Sequence, residues 1–290
     1  DCFAAVATQR CAKLMTGGGV LAWSVEGAMR SPDQGGPEWI FKSYDEQLDA
    51  LTKRTAQPYK GATNPADVKP LLGKTAWGQG APYNALCPVT TIVQKPTPSR
   101  GRKKTKGAPR LVTQGTLAGC GPVAMGQVMM FHKYPAKGHG KRAYTNDGKQ
   151  CVLDLEQQPL DWNKIYDSYD DSETDPAVTM PIARLIISTG VATGANFGKE
   201  RTSTSASMYR SALVNNFGYA SSTHSLTDGK PTDRIQVATE ELRAARPMIV
   251  ACSDHSFVLD GIQGDFMHYN MGWAGLANGW YRTLIVEGGD

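Results

Sequence analysis

The segment from Thr116 to Pro135, TLAGCGPVAMGQVMMFHKYP, constrains the fold of this chain more than any other part of its sequence. Its apolar residues recur at the spacing of a helix, which predicts a helix over residues 116–134. Pro122 suits the first helical turn, where its missing N–H group removes no hydrogen bond, and Pro135 ends the helix. The sequence therefore predicts an apolar helix that begins close to a cysteine, Cys120.

Cys120 is a candidate nucleophile because of where it lies on this helix. Free backbone N–H groups and the helix dipole at a helix N-terminus favour negative charge, so a thiol there loses its proton more easily. Gly119 and Gly121 keep side-chain bulk away from the sulfur, so that a substrate backbone can approach. A buried cysteine in a tight turn would explain the same residues, and the segment alone leaves both interpretations open.

A thiolate nucleophile needs a base, and the chain contains five histidines. His132 lies far from the start of the predicted helix, His139 lies in a Gly-Lys loop, and His224 lies in a Ser/Thr-rich stretch. The other two, His255 and His268, belong to one strand-like segment, ACSDHSFVLDGIQGDFMHYNMGWAG. This segment is therefore the best source of a base.

A hairpin in this segment predicts which residue orients the base. If Gln263 and Gly264 form a two-residue turn, His255 pairs with Gly272 and has Asn270 as its diagonal neighbour, about 7–8 Å away. Asn270 could then accept from one imidazole nitrogen and leave the other for the cysteine. His268 shares that face but lies nearer the turn. A core histidine and an ordinary strand asparagine remain the alternative.

Acyl chemistry also requires hydrogen-bond donors for the developing oxyanion. Gln79, in WGQGAPYN, is a candidate because Gly78 and Gly80 flank it and would expose its amide. The backbone N–H of Cys120 could supply a second donor. A polar turn residue is the alternative interpretation of Gln79.

The rest of the chain indicates a globular α+β protein. Its 290 residues, 40% hydrophobic and 20% charged, suffice for one large domain or two modest ones. Helical patterns at 40–51, 180–191, 205–216 and 233–245 precede strand-like patterns over 247–284, which favours α+β over alternating βαβ units. A further strand is predicted at 20–25, and a linker at 57–70.

Charge and cysteine spacing exclude several classes of function. The net charge of +4 is too small to indicate a nucleic-acid partner, and seven basic residues between Lys95 and Arg110 account for it. Residues 93–114 are read as a solvated loop, with a protease-sensitive or anion-binding site as the minor alternative. No apolar run approaches the roughly 20 residues of a membrane span. Six cysteines without a CxxC pair make a structural zinc site improbable and leave disulfide pairing open.

Several motifs, in this order, resemble the streptopain-type cysteine peptidases, a papain-like family of secreted bacterial proteases. The resemblance covers about Val68 to Leu284 and runs through WGQGAPYNALCP, GCGPVAMGQVMMFHKYPAKG, LDWNKI, NNFGY, HSFVLDG and HYNMGWAG. It implies a papain-like α+β fold, with a helical subdomain that carries the cysteine and an antiparallel barrel-like sheet that carries the histidine. It also implies secretion or a cell-surface location.

The resemblance implies peptide-bond hydrolysis through a thioester on polypeptide substrates, without a metal or organic cofactor. Cys120 would be the nucleophile, His255 the base and then the acid, Asn270 the orienting residue and Gln79 an oxyanion donor. The family is made with an inhibitory pro-region, which implies that residues 1–65 are a truncated pro-region or an N-terminal extension. Residues 66–290 would then be the catalytic domain.

Several positions depart from the family pattern, among them Gly121-Pro122 after the cysteine, which a first helical turn tolerates. Met271 replaces the usual tryptophan after the asparagine, so that Trp273 would shield the histidine only in part. Asp254 replaces the usual glycine before the histidine and would stabilise its charged form if it faced the site. A thiol amidase acting on a cell-wall amide, or a binding protein on a decayed peptidase fold, are the alternative hypotheses. The presence of all four candidate residues argues against decay.

Overall fold

The structure is a computed structural model that describes most of the chain from residue 67 onward and shorter stretches before it. The described backbone comprises residues 3–6, 11–16, 19–24, 56–58, 67–94, 110–223, 231–252, 255–282 and 285–288. Side chains are described over 67–89, 115–223, 234–252 and 255–282. The helix predicted at 40–51 and the residues of the basic segment from 95 to 109 lie outside this part.

Helix α1, Cys120–His132, confirms the predicted apolar helix. It begins at the cysteine, directly after Gly119, whose φ of 95° is a left-handed value that favours glycine. The helix ends at Lys133, whose left-handed backbone directs its N–H group to the carbonyl groups of Met129 and Met130. Cys120 therefore lies at the end of the helix where backbone N–H groups lack partners within the helix.

In the described part of the chain, three more helices follow α1, close to the predicted positions. They are α2 (Pro176–Ala192), α3 (Ser207–Phe217) and α4 (Pro231–Arg243). Asp175 caps α2, since its carboxylate accepts from the Ala177 N–H at 2.9 Å. Gly218 ends α3 in the left-handed conformation, as its place after the helical pattern predicts. Two short 3-10 helices, Leu155–Gln157 and Trp162–Lys164, lie between α1 and α2.

The described strands form one large antiparallel sheet and three two-stranded sheets. Along the chain they are β1 (Phe3–Val6), β2 (Cys11–Thr16), β3 (Gly19–Ser24), β4 (Ala56–Pro58), β5 (Val89–Gln94), β6 (Arg110–Gly115), β7 (Lys141–Asn146), β8 (Lys149–Asp154), β9 (Met248–Ala251), β10 (Ser256–Gln263), β11 (Phe266–Asn270), β12 (Gly279–Arg282) and β13 (Ile285–Gly288). The large sheet has the order β1-β2-β3-β12-β11-β10-β9, and its described strands form an open sheet, not a closed barrel. The α+β class is confirmed.

Two hairpins lie in stretches where the sequence-based assignment was wrong or incomplete. β5 and β6 pair antiparallel from Val89–Gly115 to Gln94–Arg110, so both ends of the predicted 93–114 loop are strands. β7 and β8 pair on either side of Asp147 and Gly148, whose φ values of 48° and 72° suit a tight hairpin turn. The Asp-Gly pair was the available signal for this hairpin. Strand β3 confirms the strand predicted at 20–25.

Helix α1 lies in the middle of the core, between the helices and the sheet. On one side Met125 and Met129 belong to a large apolar cluster that includes Ile182 and Ile186 of α2. On another side Ala124 and Val128 pack with residues that include Val258 of β10. A helix surrounded by apolar neighbours is apolar all round, which explains why the sequence of α1 carries no polar face.

Among the described residues, no helix has both the length and the apolar character needed to cross a bilayer.

Candidate active site

The thiol of Cys120 lies where α1 meets the sheet. The backbone N–H groups of Ser256, Gly121 and Cys120 itself interact with it, and the positive charge of Arg201 acts on it. Burial nevertheless raises the pKa of Cys120, and these groups offset that effect only in part. The helix N-terminus acts in the expected direction, but burial outweighs it, contrary to the expectation of a lowered pKa.

His255 directly precedes β10 and is 6% exposed. Its ring stacks on Trp273, with ring centroids 4.3 Å apart and an interplanar angle of 28°. Its Nε2 atom lies 2.8 Å from the backbone carbonyl oxygen of Met271. A carbonyl only accepts, so Nε2 carries the hydrogen, and Nδ1 is the basic nitrogen of the neutral ring. Burial lowers the pKa of His255 to about 4, although the Met271 carbonyl acts in the opposite direction.

Asn270 does not make the predicted hydrogen bond to His255. Its Oδ1 atom accepts from the side-chain amide of Gln127 and from the backbone N–H of Gly272, each at 3.1 Å. Its Nδ2 group donates to the Thr75 carbonyl at 2.6 Å. Asn270 therefore joins α1, the loop after β11 and the segment around Thr75, while the Met271 carbonyl bonds the imidazole.

The predicted hairpin register was wrong, for two reasons. Gln263 pairs with Phe266, so the turn consists of Gly264 and Asp265 and comes one residue later than predicted. The register then shifts between Leu259 and Gly261, which places Asn270 opposite Val258. Such a bulge cannot be derived from period-two alternation, because one extra residue reverses the face of all that follow.

The residue at the bulge, Asp260, explains where the second histidine points. Its carboxylate lies 2.6 Å from Nδ1 of His268 and also accepts from the Leu72 N–H at 3.0 Å. Both side chains are buried. His268 is thus hydrogen-bonded to a buried carboxylate that also binds the segment at 67–72, and this contact does not direct it to Cys120.

The segment around Gln79 lies between the two halves of the site. The Gln79 carbonyl accepts from the Ala118 N–H at 2.9 Å, two residues before Cys120. The Trp77 carbonyl accepts from the Ala274 N–H at 2.8 Å, next to the loop that carries Trp273. The structure therefore brings Gln79 close to the start of α1 and to the loop after β11, and its side chain is half-buried.

The remaining candidates are placed as follows. Met271 is fully buried, and its N–H donates to Oδ1 of Asn278 at 2.8 Å. Asp254 and His224 lie outside the described residues. His132 ends α1 at the opposite terminus from Cys120, and the His139 N–H donates to the Asn216 carbonyl.

Sequence reasoning missed several groups that act on the candidate residues. They are the Met271 carbonyl, the Ser256 N–H, the charge of Arg201 and the amide of Gln127. Only Gln127 had a visible signal, since it is a polar residue within an otherwise apolar helix. Backbone groups carry no residue-type signal, so the first two could not have been found.

Comparison with known proteins identifies the family. A family model described as the Peptidase C10 family matches residues 77–281. The chain is 30% identical to streptopain of Streptococcus pyogenes over 282 residues, which cover 91% of this chain and 68% of that protein. It is 26% identical to the thiol protease/hemagglutinin PrtT of Porphyromonas gingivalis over 86% of this chain and 29% of that protein.

Solved structures show the same fold. A prointerpain A fragment from Prevotella intermedia matches with a TM-score of 0.75 at 23% identity, over 94% of this chain and 85% of that one. Active interpain A from the same organism matches with a TM-score of 0.56 at 25% identity, over 75% of this chain and 86% of that one. The fold and the cysteine at the helix start define a papain-like cysteine peptidase. Within that class, the chain belongs to the peptidase C10 family.

Proposed function

We propose that this protein is an endopeptidase that cleaves polypeptides through a thioester on Cys120, with His255 as the base. One observation supports this most strongly: α1, which begins at Cys120, packs against β10, and β10 begins directly after His255. The Ser256 N–H, at the start of β10, also favours the Cys120 thiolate. With Nε2 bonded to the Met271 carbonyl, Nδ1 is the nitrogen able to take the thiol proton.

In the proposed reaction, the Cys120 proton moves to Nδ1 of His255 as the sulfur attacks the substrate carbonyl carbon. The carbonyl oxygen becomes an oxyanion, which the Cys120 N–H and the Gln79 side-chain amide stabilise. The imidazolium returns its proton to the leaving amine, the C–N bond breaks and a thioester remains. His255 then takes a proton from water as the hydroxide attacks the thioester, the C–S bond breaks, and the carboxylic acid leaves. The imidazolium returns its proton to the sulfur, which regenerates the Cys120 thiol.

Burial decides the resting protonation state of this pair. It raises the pKa of Cys120 and lowers that of His255, so each group alone is held neutral near pH 7. Proton transfer creates two opposite charges next to each other, and their attraction is strong in a site from which water is excluded. Trp273 excludes water from one face of the imidazole. In this proposal the reactive ion pair therefore forms when substrate occupies the site.

We also propose that residues 1–65 belong to an inhibitory pro-region of a secreted enzyme. The match to prointerpain A covers 94% of this chain, whereas the match to active interpain A covers 75%. In the described residues β3 pairs with β12 through Trp23–Trp280 and Ala22–Tyr281, so N-terminal strands extend the catalytic sheet. Removal of residues 1–65 is expected to raise activity, and an unchanged rate would argue against this proposal.

Denatured casein provides the test of the peptidase proposal. The protein is incubated with casein, with and without a thiol-directed epoxide, and the products are identified by mass spectrometry. Internal cleavage that the epoxide and Cys120→Ala abolish is the expected result, while Cys151→Ala, a change in β8, retains it. Cleavage by Cys120→Ala would reject the nucleophile, and cleavage of a cell-wall amide but not of casein would favour a thiol amidase.

A further inference from the structure

The hydroxyl group of Tyr209 lies in a buried chain of three hydroxyls beside the candidate nucleophile. Tyr209, on α3, is 7% exposed. Its Oη atom lies 2.7 Å from Oγ of Ser256 and 2.8 Å from Oγ1 of Thr204. Ser256 directly follows His255 and begins β10, so the Tyr209–Ser256 hydrogen bond joins α3 to the strand next to the base.

The same hydroxyl also lies against the residue that follows Cys120. A Cβ atom added to Gly121 would come within 2.3 Å of both Tyr209 Oη and Thr204 Oγ1. No side chain fits there unless these hydroxyls move, so a glycine in the first turn of α1 is required by their position. The hydroxyl of Tyr209 therefore lies against Gly121, which follows Cys120, and against Ser256, which follows His255.

Tyr209 is linked to the Cys120 sulfur through Ser256. The backbone N–H of Ser256 interacts with the Cys120 thiol, and its side chain bonds to Tyr209. Burial raises the pKa of Tyr209, and the nearby Cys120 acts in the same direction, as expected for two groups that would repel each other if both were ionised. Tyr209 therefore remains a neutral phenol that can donate or accept a hydrogen bond.

We propose that Tyr209 is a positioning residue for catalysis, which holds Ser256 so that its N–H group stabilises the Cys120 thiolate and the adjacent His255 stays in reach. The bond acts between α3 and β10, two elements far apart in sequence. If it is lost, Ser256 can shift away from the sulfur, and the thiolate loses a donor. This proposal depends on the peptidase mechanism proposed above, but its effect on the thiol can be measured without a peptide substrate.

The test compares Tyr209→Phe with Tyr144→Phe. Tyr144 donates from its hydroxyl to the Ala195 carbonyl at 2.8 Å, away from the site. Both changes therefore remove one tyrosine hydroxyl, and that of Tyr209 carries the bonds to Ser256 and Thr204. Iodoacetamide labelling of Cys120 across pH, followed by peptide mass spectrometry, reports the thiolate population. Casein-peptide hydrolysis reports kcat and KM separately.

Tyr209→Phe is expected to shift the labelling profile to higher pH and to lower kcat about 10-fold with little change in KM, as loss of one positioned hydrogen bond predicts. Tyr144→Phe is expected to leave both unchanged. A labelling profile and a kcat for Tyr209→Phe that match those of Tyr144→Phe would overturn the proposal. A shifted labelling profile in a protein without peptidase activity would support the positioning role and reject the proposed function.

A double-mutant cycle separates positioning from general loss of stability. If Tyr209 acts through Ser256, the double change Tyr209→Phe with Ser256→Ala has the same effect on the labelling profile as Tyr209→Phe alone. Additive effects of the two changes would contradict action through Ser256. Ser256→Ala also removes the same hydrogen bond from its other end, so it tests the proposal if Tyr209→Phe does not fold.

Discussion

Nε2 of His255 donates a hydrogen bond to the backbone carbonyl oxygen of Met271 at 2.8 Å. A side-chain orienting group can be removed by mutation, whereas a backbone carbonyl cannot. The carbonyl is held in turn, because the Met271 N–H donates to Asn278 and the preceding residue, Asn270, is bonded to three other segments. The orientation of the imidazole therefore depends on the loop as a whole.

Asn270→Ala is expected to act mainly on stability. The change leaves the amide of Gln127 and the N–H of Gly272 without their buried acceptor, which costs about 3 kcal/mol of unfolding free energy. Urea denaturation measures this loss. At a temperature where the variant is folded, Asn278 still holds Met271, so the labelling profile of Cys120 should stay close to wild type. Unchanged stability with lost hydrolysis would instead show that Asn270 orients His255 directly.

Acid is expected to destabilise the protein through His255. The folded-state pKa of about 4 lies below the unfolded value of about 6.5, so the unfolded state binds the proton more tightly. This contribution is fully present above about pH 6.5 and is lost as pH falls toward 4, by about 3 kcal/mol in total. Urea denaturation at several pH values measures it. His255→Gln should flatten the slope in this window, and an unchanged slope would contradict the lowered pKa.

Arg201→Gln is expected to raise the pKa of the Cys120 thiol further. Its positive charge favours the thiolate, so its removal shifts iodoacetamide labelling to higher pH. Arg201 is exposed, so added salt should reduce the difference between wild type and variant. Lys133→Gln is the control, because it also removes one positive charge but lies at the far end of α1. The prediction fails if the two variants shift the profile equally.

Asp260→Asn is expected to destabilise the protein without changing the site. The two carboxylate oxygens of Asp260 accept from His268 and from the Leu72 N–H, whereas an amide has one acceptor oxygen. Loss of one of these buried hydrogen bonds costs about 2 kcal/mol of unfolding free energy. Lys164→Gln breaks the exposed pair with Asp161 and should cost about 0.5 kcal/mol or less. Thermal unfolding compares the two. A shifted labelling profile of Cys120 in Asp260→Asn would show that the Asp260–His268 hydrogen bond is part of the site after all.

Sequence reasoning worked where local chemistry decides the structure. Helix α1 with its cysteine, the glycine that ends α3 and the strands after residue 247 were all predicted from spacing and from Pro or Gly signals. It failed for the β10–β11 register, because the bulge at Asp260 serves contacts with His268 and Leu72 that are distant along the chain. The same error led to the wrong partner for His255.

The sequence by itself determined the class of fold, the family and the residue types available for thiol chemistry, because helix ends, apolar periodicity and motif order are local properties of the chain. Only the tertiary structure decided which atoms act on the pair: the Met271 carbonyl on His255 and the Ser256 N–H on Cys120. Backbone groups are the same at every non-proline residue. Their role depends on where folding places them, and burial, which sets both pKa values, exists only in the folded chain.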